Sequence, residues 1–152
     1  MKLGLKILSC FILLGIIPIS VYAGDWTELI GQHQYFFGQA SNTPRGNFPY
    51  SLRISEDKKT LATSQSNMGY QSYTLTDEGL SFELKLGEKG YIFEGNLTKS
   101  NIDSEPTKWV FLGEAYGKST KMIFSLKENN KLIVETFRDE KEHARVELQA
   151  IQ

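Results

Sequence analysis

Gly79-Leu-Ser-Phe-Glu-Leu-Lys-Leu86, then Gly87-Glu-Lys-Gly90, then Tyr91-Ile-Phe-Glu-Gly-Asn-Leu97 is the stretch that decides the fold. Leu80, Phe82, Leu84 and Leu86 alternate with Ser81, Glu83 and Lys85, the period of a strand with one apolar face. Tyr91, Phe93 and Leu97 repeat the alternation against Glu94 and Asn96, with Gly95 on the apolar side. Four residues separate the two runs, so they must be antiparallel, because a parallel pair needs a long crossover.

The same pattern extends in both directions. Tyr50, Leu52 and Ile54 oppose Ser51, Arg53 and Ser55; Met122, Phe124 and Leu126 oppose Lys121, Ser125 and Lys127; Val146, Leu148 and Ala150 oppose Arg145, Glu147 and Gln149. Turn signals at 57–59, 77–79, 87–90, 117–119 and 129–130 divide the runs. The expectation is an all-β protein: about ten antiparallel strands in an up-and-down barrel, since closure removes the exposed edges of a long meander. Residues 40–49 and 99–107 are the two longer connections and are expected to rim a mouth. One short helix is expected over Asp25–Ile30, capped by Asp25 and stopped by Gly31.

The N-terminus has another character. Lys2 and Lys6 precede an apolar run from Ile7 to Val21, and Val21-Tyr-Ala23 ends it before polar Gly24-Asp25. This is the three-part pattern of a secretory signal peptide cut after Ala23. About 15 apolar residues interrupted by Pro18 are too few to span a bilayer. A lipoprotein cut at Cys10 would leave a greasy head on the product. Residues 1–23 thus read as a leader, and 24–152 as one domain in a secreted or periplasmic protein that does not span the membrane after cleavage. Losing Lys2 and Lys6 leaves 15 basic and 18 acidic residues, a net charge near −3, which disfavours nucleic acid as a partner. The one cysteine, Cys10, leaves with the leader, so stability must come from apolar burial. A transmembrane barrel is excluded on the same pattern, because Arg53, Glu83, Lys85, Glu94, Lys121, Glu135, Arg145 and Glu147 would face lipid.

Trp26-Thr-Glu-Leu-Ile-Gly31-Gln-His33-Gln-Tyr35-Phe-Phe37, a short helix leading into Gly-x-aromatic on a first strand, resembles the opening of lipocalins and fatty-acid-binding proteins, the calycin group. That motif carries Trp two residues after the glycine, where His33 stands here. The resemblance implies a small apolar or amphipathic ligand inside the barrel. Tyr35, Phe37, Phe82, Tyr91, Phe93, Trp109, Phe111 and Phe124 are the aromatic candidates to line it, with Gly95, Gly113 and Ala115 leaving space. The same residues would equally fill a small barrel, which then works as an envelope protein-interaction or inhibitor module.

His33, on the parity of Tyr35 and Phe37, is the candidate to orient a polar head or ligate haem in a third reading. The simpler role is a hydrogen bond at a strand's start. His143 is expected to point outward with Arg145. Arg138 shares the parity of Leu132, Val134 and Thr136, and the resemblance implies an interior arginine holding a carboxylate. Its plainer role is a solvated turn residue. Gly113-Glu-Ala-Tyr-Gly117-Lys-Ser119 is one residue short of a phosphate loop and joins two strands. No Gly-x-Ser-x-Gly elbow or His-Glu-x-x-His pair occurs, so the chain is not expected to be an enzyme, to bind metal or to carry a resident cofactor.

Overall fold

The structure is a computed structural model that describes residues 24–43, 46–63, 70–86 and 91–152. The leader assigned to residues 1–23 lies outside them, as do the side chains of Leu86 and Tyr91. A short helix α1 (Thr27–Ile30) precedes ten strands: β1 (Tyr35–Thr43), β2 (Gly46–Ile54), β3 (Thr60–Ala62), β4 (Tyr70–Leu75), β5 (Gly79–Leu86), β6 (Tyr91–Lys99), β7 (Lys108–Ala115), β8 (Lys118–Leu126), β9 (Lys131–Arg138) and β10 (Lys141–Ile151). Each strand pairs antiparallel with the next, and β1 pairs with β10, from Tyr35↔Ile151 to Ser41↔Arg145. The sheet is a closed up-and-down barrel. No helix of the described residues is long and apolar enough to cross a membrane.

The meander fixes which connections share an end. The α1 end carries the turns β2–β3, β4–β5, β6–β7 and β8–β9; the far end carries β1–β2, β3–β4, β5–β6, β7–β8 and β9–β10. The two longer connections therefore do not rim one mouth. Residues 40–43 and 46–49 are strand, so the first is a hairpin at the far end, and 100–107 lies at the α1 end. The turn read at 117–119 is instead Tyr116-Gly117, both at positive φ (54° and 67°), the left-handed pair of a two-residue hairpin.

β1 corrects the expected inward face. Phe36 is 0% exposed and Ala40 is buried, whereas Phe37 is 49% exposed and Tyr35 half-buried. Tyr35-Phe36-Phe37 is aromatic at every position, so alternation alone cannot choose a face; register does. Phe36 sits opposite Leu52 and Ala150, and Ala40 opposite Val146 and Phe48, all on the apolar side of their strands. Gly38 lies between them because the backbone of β10 comes close: a Cβ there would stand 1.9 Å from the Glu147 carbonyl oxygen.

Helix α1 closes its end through Trp26. The indole is fully buried, stacked on Trp109 at 5.7 Å and tilted against Phe124 at 4.9 Å. Its Nε1–H donates to the carbonyls of Lys59 (3.0 Å) and Tyr73 (3.2 Å), so the polar edge of the ring is satisfied inside the core. Asp25 Oδ1 accepts the Thr27 N–H at 2.8 Å, and Gly31, at φ 64°, returns its N–H to the Thr27 carbonyl. Trp26→Ala is expected to cost about 3–5 kcal/mol, the range for losing a buried Trp or Phe ring. Urea unfolding followed by circular dichroism measures it, and a loss below about 1 kcal/mol would contradict the plug.

Candidate functional site

The inward residues divide into two layers. Near α1, Trp26, Trp109, Phe111, Phe124 and Tyr73 form one connected aromatic cluster, with Phe111 to Phe124 at 5.8 Å and Tyr73 to Phe124 at 5.2 Å. The Lys99 ammonium lies 3.7 Å from the Trp109 ring centroid, and burial holds its pKa below the usual lysine value. Toward the far end, Phe82 meets Phe93 at 5.2 Å. Phe82, Phe93, Trp109, Phe111 and Phe124 thus all point inward, as expected from their parity, and are buried in a single core cluster.

The space expected beside the small residues is taken. A Cβ on Gly95 would lie 3.0 Å from the Phe82 ring, and one on Gly113 would lie 2.9 Å from Leu97 Cδ2. The glycines admit neighbouring side chains rather than a void. Tyr50 and Tyr73 put their hydroxyls into the same interior, and both donate to Gln71 Oε1, the latter at 3.1 Å. Burial pushes the Tyr73 phenol up to about 12 and Tyr50 well above its ordinary value, so both stay neutral donors.

Three of the expected site residues stand elsewhere. Tyr35 and Phe37 occupy the outer face with Ile151, the cross-strand partner of Tyr35. His33 precedes β1, touches Phe36 edge-on at 6.0 Å, and lines a surface cleft of about 140 Å³ with Gln32, Gln34 and Arg53. That cleft shares Arg53 to Glu56 with a larger open one of about 630 Å³ along β2 and β3. Tyr91 falls outside the described side chains.

Arg138 lies at the far end on the inward parity. Its guanidinium carbon is 4.4 Å from the Phe93 centroid, and its Nε is buried with no hydrogen-bond partner among the described residues. Phe93 also stacks with Tyr116 at 5.2 Å and 29°. The hydroxyl-bearing side chains Thr120, which is Arg138's register partner, and Thr136 are buried on the same face. His143 joins this group through an irregularity that alternation does not encode. The β9–β10 register shifts between Glu142 and Ala144, leaving His143 as the extra residue of a bulge. Burial first, and the Arg138 charge second, hold its pKa below 6.5. Sequence reasoning missed Tyr116 and Thr120; the Tyr116-Gly117 dipeptide between two strands was the available signal. Among the described residues no group of three or more His, Cys, Asp or Glu is placed to hold a metal ion, and His33 and His143 lie at opposite ends.

The chain matches no family model, no curated protein and no solved structure. The closed ten-stranded antiparallel barrel is compatible with a calycin-like fold.

The depressed pKa of His143 gives a pH dependence with a defined sign. The unfolded chain takes up this proton more readily than the folded one, so its contribution is complete above pH 6.5 and declines as the pH falls below it. His143→Gln is expected to flatten the stability profile between about pH 7 and 5, the range around an ordinary histidine pKa. Urea midpoints of both proteins across that range provide the check; parallel profiles would refute it.

Proposed function

We propose that this protein is an exported interaction module: a side-chain-filled barrel that binds another protein through its outer surface and catalyses no reaction. The observation that carries the reading is the interior itself. Trp26 fills the α1 end, Phe82 occupies the room at Gly95, and Leu97 occupies the room at Gly113. Largely enclosed ligand sites need a preformed cavity of several hundred cubic ångströms, and Phe36, Leu52, Phe111, Met122, Phe124 and Leu148 are sealed on all sides. The leader-like residues 1–23 support export. The resemblance to calycins supports the architecture, and fold alone assigns no ligand.

One observation favours a second reading. The Nε of Arg138, without a partner among the described residues, held against Phe93 and near His143, is a fit for the anionic head of an amphipathic molecule entering from the far end.

The two readings separate in one set of measurements. Native mass spectrometry of the protein recovered from its own envelope is expected to give the bare mass of residues 24–152, with Gly24 as the first residue by N-terminal sequencing. A dansyl-labelled fatty acid is expected to show no saturable binding. A retained lipid mass, or saturable uptake lost in Arg138→Gln, would replace the filled-barrel reading with the anion site; an unprocessed N-terminus would remove export.

A further inference from the structure

One seam of the barrel is incomplete. β6 pairs with β5 along its length, from Gly79↔Thr98 to Leu86↔Tyr91, yet its ladder with β7 consists of Thr98↔Leu112 and Lys99↔Phe111. Continuing that register sets Gly95 beside Ala115, the last residue of β7. The contact agrees: a Cβ on Gly95 would stand 3.1 Å from that of Ala115. Tyr91–Glu94 therefore run past the end of β7, and among the described residues no strand lies beside them on that side.

Backbone groups alternate sides along an antiparallel strand. The Ile92 carbonyl accepts a hydrogen bond from the Tyr116 hydroxyl at 3.2 Å, so Ile92 and Glu94 turn their backbone N–H and C=O toward the side where β7 has ended, and there the Tyr116 side chain, stacked on Phe93, covers the Ile92 carbonyl. The large exposed side chains at this edge are Ile92 and Tyr116. The outer face also carries an acidic set. Glu83 stands directly opposite Glu94, and Glu114 is exposed on β7. Like charges across a ladder are destabilising, and neither Glu83 nor Glu94 is in an ion pair with a described residue. Lys85, opposite Ile92, is the one cation beside them on β5.

We infer that the open edge of β6 over Ile92–Glu94 is a docking site for an extended segment of another protein in which basic and apolar residues alternate. Such a segment would add a strand to the edge through backbone hydrogen bonds, displacing the Tyr116 hydroxyl from the Ile92 carbonyl, and would set its basic side chains on the outer face beside Glu83, Glu94 and Glu114 while its apolar ones turn inward toward Phe93. The inference rests on the reading that the barrel works through its outer surface, and it names the place and the partner's chemistry. A second copy of the chain is the weaker occupant, since the acidic set would then face itself.

The probes are an acetylated, amidated (Lys-Val)4 peptide and its (Glu-Val)4 counterpart, added to the full-length mature protein. The basic peptide is expected to bind, to slow amide hydrogen exchange at Ile92 and Glu94, and to weaken as salt is raised. Glu94→Lys combined with Glu114→Lys, its fold checked by thermal melting, is expected to weaken the basic peptide about tenfold and favour the acidic one. Equal binding of both peptides, or protection that spares Ile92 and Glu94, overturns the proposal. Protection of these amides that grows with protein concentration and needs no peptide assigns the edge to self-association and also overturns it. A lipid found by mass spectrometry would sink the filled-barrel reading without touching the peptide result, so the two failures are distinguishable.

Discussion

Burying an indole obliges a protein to solve two problems at once: the rings need apolar neighbours, and the N–H needs an acceptor away from water. Trp26 meets both demands across the barrel axis. Its rings lie on Trp109 of β7 and Phe124 of β8, while its N–H reaches the carbonyls of Lys59, beside β3, and Tyr73 in β4. One side chain thereby ties the two halves of the meander together at the α1 end. Among the described residues the three-residue β3 pairs with β2 at Arg53↔Ala62 and Ile54↔Leu61, so this tie supports a short and sparsely paired strand.

Filling one end has consequences at the other. With the aromatic cluster occupying the α1 half, polar interior groups are left for the far half, where Arg138, Thr120 and Thr136 share the inward face. A buried guanidinium nitrogen without an acceptor among the described residues is an expensive feature, and the Phe93 face compensates the charge only in part. The bulge at His143 brings an imidazole into the same field, where burial first and the Arg138 charge second lower its pKa. The far end is therefore the electrostatically unsettled end of an otherwise apolar interior.

The sequence was most legible where one face alone was apolar. β5 alternates without interruption, and its inward residues Leu80 and Phe82 are buried as the period requires. It was least legible where apolar residues run consecutively. Tyr35-Phe36-Phe37 satisfies either face, and only pairing with Leu52 and Ala150 resolves it. His143 escaped for a related reason, since a bulge shifts parity without leaving a mark in composition. The glycines misled differently. Gly95 and Gly113 marked sites of close approach, and the sequence could not tell approach by Phe82 and Leu97 from approach by a ligand.

Closure is usually taken to abolish the edges of a β-sheet, but it does so only as far as the ladders run. Here β5 and β6 rise above β7 at the far end, so a short edge survives within a closed barrel. An edge with exposed Ile92 and Tyr116 invites pairing, and acidic residues beside it make that pairing selective. Glu83 opposite Glu94 is costly within the chain, with neither in an ion pair among the described residues. The same repulsion disfavours pairing with an identical edge, which would bring two such acidic sets together. It is relieved by a strand that brings positive charge. A feature that is unfavourable in the isolated fold, protective against self-pairing and favourable in one class of complex distinguishes among partners, and that is what an interaction module requires.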